Sequence, residues 1–137
     1  MKFDFSDLNP PVWFYFDDEE PGDGSILLRG LSPHDASDFT KKCSKKMPPE
    51  YKHGQRFEIP DEMNDKKYSD MIWDFVIVDW KNIVDENGKK IECTTENKLK
   101  LINHSNEFVK FVSKSLDILN SNLPVRREEI EKNSPST

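Results

Sequence analysis

The side chains best suited to chemistry in this sequence are few and far apart: Cys43 and Cys93, His34, His53 and His104, and Asp79, which sits in the most apolar stretch. A zinc site needs four nitrogen or sulfur ligands at short, recurring spacings, and a nucleophilic thiol needs a base beside it. These residues offer neither pattern. Two cysteines make no disulfide framework either, so both read as reduced, buried thiols. The carboxylates Asp17, Asp18, Glu19, Glu20 and Asp23 could in principle hold Ca²⁺. They lack the ordered spacing and closing Glu of a calcium loop, and read as a solvated reversal. There is no Gly-rich phosphate loop, no Gly-x-Ser-x-Gly elbow, no His-Glu-x-x-His and no Cys-x-x-Cys. The expectation is a protein without catalytic residues, metal or cofactor.

Asp79 is the exception to weigh. Apolar residues fall at Tyr68, Ile72, Val76, Trp80 and Ile83, and again at Met71, Phe75 and Val78. Both series fit one helix over Tyr68–Val84, with a narrow polar stripe of Asp70, Asp74 and Lys81. The β-branched run Val76-Ile77-Val78 would also suit a buried strand, but the apolar continuity on both sides favours the helix. On that helix Asp79 lies inside the apolar arc, where a carboxylate needs a hydrogen-bond partner. A structural bond is the favoured reading. An acid or base role would need a catalytic neighbour, and no His, Cys or Ser constellation in the chain offers an obvious one.

The elements that would position such residues are well signalled. Val12–Phe16 and Ser25–Arg29 are apolar runs with strand character, joined by the acidic Pro- and Gly-containing loop, and are expected to pair as a hairpin. Ser32-Pro33-His34-Asp35 reads as a capped helix start, with Ala36, Phe39 and Cys43 on one stripe. Asp85-Glu86-Asn87-Gly88 reads as a turn, followed by an extended connector to Cys93. Thr94 or Thr95 caps a helix carrying Leu99 and Ile102, and Ser105 caps a last helix running to about Asn120. Phe108, Val109, Val112, Leu116 and Leu119 face the core from that helix, whereas Phe111 and Ile118 form a second stripe. That stripe is either a widened core face or an exposed patch for a partner.

At 137 residues the chain is one ordinary domain long. Leu, Ile, Val and Phe make up about a quarter of it, enough to fold, but charged residues match the apolar ones at 34% each. Polar segments must therefore stand outside the core. The net charge of −6 is uneven: residues 1–23 carry one Lys against seven acids, and residues 24–60 carry seven bases against four acids. The stretch 41–60 reads as an irregular basic excursion. It could neutralise phosphates, but it lies between acidic segments and shows no regular element to enter a groove, so no nucleic-acid partner is expected. No long apolar run or signal-like N-terminus occurs, so neither membrane insertion nor export is expected. The reading is a single α+β domain over 1–123, an N-terminal β-hairpin followed by about four helices around a central apolar helix, with a mobile polar tail over 124–137.

One resemblance bears on function. Leu27-Leu28-Arg29-Gly30-Leu31-Ser32-Pro33-His34-Asp35, then Val78-Asp79-Trp80-Lys81-Asn82-Ile83-Val84-Asp85-Glu86-Asn87-Gly88-Lys89, and Ile91-Glu92-Cys93-Thr94-Thr95-Glu96-Asn97-Lys98 leading into Leu99, Leu101 and Ile102 are similar to the tail assembly chaperones of long-tailed bacteriophages. The likeness covers residues 12 to 120. It rests on core and turn positions, and the basic stretch has no counterpart in it. It implies a non-catalytic protein of the bacterial host cytoplasm that shields the long helical tape measure protein during tail assembly, self-associates, and needs no cofactor. Trp73, Trp80, Phe111 and Ile118 are the candidate partner-binding residues. Two other readings compete: an acidic inhibitor or adaptor that presents Asp17, Asp18, Glu19, Glu20 and Asp23 to a basic enzyme, and, behind it, an enzyme with a site near Asp79 or His104.

Overall fold

A computed structural model describes residues 1–121. The tail expected over 124–137 lies outside them. The fold is α+β, with N-terminal strands followed by helices, as the sequence indicates. Two compact units divide the chain. One comprises Met1–Leu31 with the residues from Trp73 onward, and the other comprises Ser32–Ile72.

The first unit is built on a three-stranded antiparallel sheet. Strands β1 (Val12–Tyr15) and β2 (Ser25–Leu28) form the expected hairpin, with Val12 opposite Leu28 and Tyr15 opposite Ser25. The acidic loop between them contains a short 3₁₀ turn, and Phe16 N–H closes it on the Gly24 carbonyl at 3.1 Å. Gly24 adopts φ 129°, open only to glycine without strain, and the Phe16 ring lies 3.0 Å from where a Cβ would stand.

The third strand, β7 (Ile77–Lys81), corrects the single helix expected over Tyr68–Val84. That segment is half helix, α2 (Asp65–Val76), and half strand. The reason is a β-bulge. Leu28 faces Ile77 and Leu27 faces Asp79, which leaves Val78 as an extra residue in β7. The bulge puts Ile77 and Trp80, three residues apart, on one buried face with Ile26 and Leu28. A spacing of three mimics a helix. The β-branched run Val76-Ile77-Val78 and the partner edge of β2 settle the backbone as a strand.

Helices α3 (Thr95–His104) and α4 (Asn106–Ser121) complete this unit. The Thr94 hydroxyl caps α3 by accepting the Asn97 N–H, and the Ser105 hydroxyl accepts the Phe108 N–H at the start of α4. Phe108, Val112 and Leu119 of α4 and Ile102 of α3 are buried. Each such side chain contributes about 1.5–3 kcal/mol through removal from water.

The second unit opens with α1 (Pro33–Cys43), whose Ser32 hydroxyl accepts the Asp35 N–H as expected. Strands β3 (Ser44–Lys45) and β6 (Glu62–Met63) pair at its base. Between them the basic excursion is not irregular. Strands β4 (Glu50–Lys52) and β5 (Gln55–Phe57) form a hairpin reversed by His53 and Gly54, at φ 52° and 76°. Two consecutive residues at positive φ give the turn whose twist suits a two-residue hairpin. All six strand residues are exposed.

Candidate interaction surfaces

Around Trp80 the first unit forms a cleft of about 430 Å³ lined by Trp80, Lys81, Asn82, Ile83, Lys90, Ile91, Glu92 and Cys93. Local chemistry shapes it. Asn82 turns the chain at φ 58°, a conformation asparagine tolerates. The Asp85 carboxylate accepts the N–H groups of Asn87 and Lys89, and Gly88 at φ 79° completes the reversal. The returning segment is held by Ile91 N–H on the Ile83 carbonyl at 2.9 Å, and by the Trp80 indole N–H, which donates to the Ile91 carbonyl at 2.7 Å. Phe108 packs edge-on against Trp80 with ring centres 6.1 Å apart.

Beside the cleft, burial pushes the Cys93 thiol above its ordinary pKa. The Lys98 ammonium opposes that rise, and the carboxylates of Asp79 and Asp74 add to it. Lys98 is itself buried and donates to the Asp74 carboxylate at 3.2 Å and to the Asp74 carbonyl at 3.1 Å. The Thr95 hydroxyl donates to the same carboxylate at 2.7 Å. A protonated, half-buried thiol next to this ion pair is a poor nucleophile and a good packing group.

Of the residues singled out from the sequence, Trp80 is buried at 6% exposure and acts within the core, while Trp73, Phe111 and Ile118 are half-buried. Phe111 stacks on Phe16 with centroids 4.2 Å apart, so its ring is covered by a neighbour of the same unit. The four residues do not form one exposed patch. Asp79 is exposed and not inside an apolar arc, because in the strand, past the bulge at Val78, it takes the face opposite its buried neighbour Trp80, and its carboxylate accepts the Trp80 backbone N–H at 2.8 Å. His104 ends α3 on the surface. Among the described residues no group of three or more His, Cys, Asp or Glu is placed to hold a metal ion.

The exposed apolar surface lies elsewhere. Met1, Phe3, Phe5 and Leu8 on the N-terminal arm, and Tyr51 and Phe57 on the β4–β5 hairpin, are six of the seven large apolar residues standing in solvent among those described; the seventh is Val84. Sequence reasoning overlooked both segments. The signals were present in the alternation of Phe3 and Phe5 with polar residues, and in His53-Gly54 between two short runs carrying aromatic residues.

The family model of the YdaY prophage protein matches residues 34–133, more than half of the chain. The chain belongs to the YdaY prophage protein family, and is thereby a phage-derived protein. No curated protein and no solved structure matches it. No helix among the described residues is long and apolar enough to cross a membrane.

Proposed function

We propose that this prophage protein is a non-catalytic binding protein that serves phage tail assembly, covering apolar helical stripes of the tape measure protein until the tail forms around it. The observation that carries the binding role is the concentration of large exposed apolar side chains on the arm and the hairpin of a highly charged chain. Large apolar side chains clustered in solvent on one segment, as on the arm and separately on the hairpin, suit contact with a partner. Membership of a prophage family supports a phage context. The resemblance over residues 12 to 120 supports the tail, with the tape measure protein as client and the host cytoplasm as the place of action.

The test is co-expression with a tape measure protein from the same prophage. The expected result is that the client, aggregated alone, becomes soluble as a complex that survives high salt, because apolar contacts are not screened. Solubility unchanged by the chain overturns the tape measure reading.

A second reading draws on the exposed carboxylates of Asp17, Asp18, Glu19 and Glu20, which would suit an acidic adaptor on a basic enzyme. Recovery of such an enzyme only at low salt, with loss as salt rises, selects that reading.

A further inference from the structure

The β4–β5 hairpin has strands of three residues each, no buried residue and, among the described residues, no third strand. A lone two-stranded ribbon is marginal in water, and its free edges present unpaired backbone groups. Its side chains sort by register. Tyr51 and Arg56 share one face, and Glu50, Lys52, Gln55 and Phe57 share the other. The ion pairs follow the same sorting: Arg56 Nε reaches Glu58 at 2.8 Å along the first face, and Lys52 reaches Glu50 at 3.8 Å along the second.

The N-terminal arm has the complementary pattern. Phe3 and Phe5 alternate with Lys2 and Asp4, the arm joins no sheet among the described residues, and its apolar side chains are exposed. Aligned antiparallel to the free edge of β5, the arm places Lys2 opposite Glu58, Phe3 opposite Phe57, Asp4 opposite Arg56 and Phe5 opposite Gln55. Two opposite-charge pairs then fall on the Tyr51 face and one aromatic pair on the other, each a favourable cross-strand combination. A shift of one residue would set Asp4 against Phe57 and lose both charge pairs, so the register is specified.

We propose that the chain self-associates by strand addition, the arm Lys2–Phe5 of one copy pairing antiparallel with β5 of a second copy. The contact is heterologous, and either closes as a reciprocal pair or extends as a chain. Docking replaces the exposed turn in which Asp4 accepts the N–H and hydroxyl of Ser6 with ladder bonds to β5. Charge complementarity selects the arm over nucleic acid as occupant, since Glu50 and Glu58 beside Lys52 and Arg56 leave the hairpin with an alternating, balanced charge pattern that suits the Lys2-Asp4 alternation and not a polyanion. The inference does not depend on the identity of any client, although a client would compete for the same surface.

The experiment is sedimentation equilibrium of the purified full chain, with Asp4→Arg and Arg56→Asp made separately and then mixed. Both positions are exposed, so neither change disturbs a core. The wild-type chain associates, and each variant alone sets like charges opposite one another, raising the dissociation constant by about tenfold or more. Mixing the two restores association, because each arm then meets an oppositely charged hairpin. As a check on register, Phe3→Cys combined with Phe57→Cys gives an intermolecular disulfide under oxidation, and Phe3→Cys combined with Tyr51→Cys does not. A monomeric wild-type chain at all concentrations overturns the proposal, whether or not it binds a DNA duplex. So does association that persists in both single variants, or that is lost in each and not restored on mixing.

Discussion

Two antiparallel strand pairs in this chain have nearly the same local recipe and opposite fates. The β1–β2 pair and the β4–β5 pair both join short strands carrying aromatic residues through a reversal that uses glycine at positive φ. In the first, Val12, Ile26 and Leu28 are buried together with Ile77 and Trp80 of β7. In the second, every strand residue is exposed. Local propensity forms both ribbons, but only a third strand and apolar coverage make one of them a core. The uncovered pair is the one left free to act on another molecule.

The sharpest way to break this contrast is to truncate one residue in each pair. Ile26→Ala removes a fully buried side chain and should lower unfolding stability by about 3 kcal/mol. Phe57→Ala, at 45% exposure, should change it by less than about 0.5 kcal/mol. Urea unfolding at a concentration where the chain is monomeric measures both. Equal losses would mean that the hairpin is covered after all.

A smaller effect separates two ion pairs of the same chemistry. Lys66 meets Asp70 at 2.6 Å on the exposed face of α2, and Lys98 meets Asp74 at 3.2 Å with only 11% of its side chain exposed. Distance alone would rank the first as stronger. Burial reverses the order, because an exposed i,i+4 pair contributes only about 0.3–0.5 kcal/mol, whereas losing the Lys98 ammonium removes its charge-assisted bonds to the carboxylate and carbonyl of Asp74 and empties a packed position. Lys98→Ala should therefore cost about 2 kcal/mol and Lys66→Ala less than about 0.5 kcal/mol, both read from shifts in the urea midpoint at unchanged slope.

The same contrast explains what the sequence disclosed. Helix starts were legible at Ser32, Thr94 and Ser105 because a cap is a local event, one hydroxyl accepting one backbone N–H. The β1–β2 hairpin was legible because its apolar runs are contiguous. The path after Val76 was not, since a bulge at Val78 buries residues three apart in a strand and so reproduces a helical spacing. The basic hairpin was hidden by charge density, as neither strand carries the buried alternation by which strands are recognised. Phe111 shows a further limit. Its placement beside Phe16, from the far end of the chain, is a tertiary contact that no helical wheel contains. For the candidate surfaces the turn at Asp85–Gly88 was legible, Trp80 lies in the core, and the arm at Phe3 and Phe5 was missed.

The smallest expected effect concerns the two cysteines, one in each unit. Cys43 is buried and donates its S–H to the Met71 sulfur at 3.3 Å, while Cys93 is half-buried at the edge of the Trp80 cleft. Burial holds the Cys93 thiol in its neutral form, with the Lys98 ammonium pulling the other way and the carboxylates of Asp79 and Asp74 adding to the shift. A raised pKa means that the unfolded chain loses this proton first as pH rises. The contribution is therefore complete below the unfolded thiol pKa and is lost as pH climbs through the higher folded value. Alkylation of Cys93 by iodoacetamide should rise with a midpoint above that of a free thiol, followed by mass spectrometry of the labelled peptide. The stability of the wild-type chain should fall more than that of Cys93→Ala over the same alkaline window. A midpoint below the free-thiol value would instead show that Lys98 dominates and that the cleft holds a thiolate, turning the Trp80 surface from a packing feature into a reactive one.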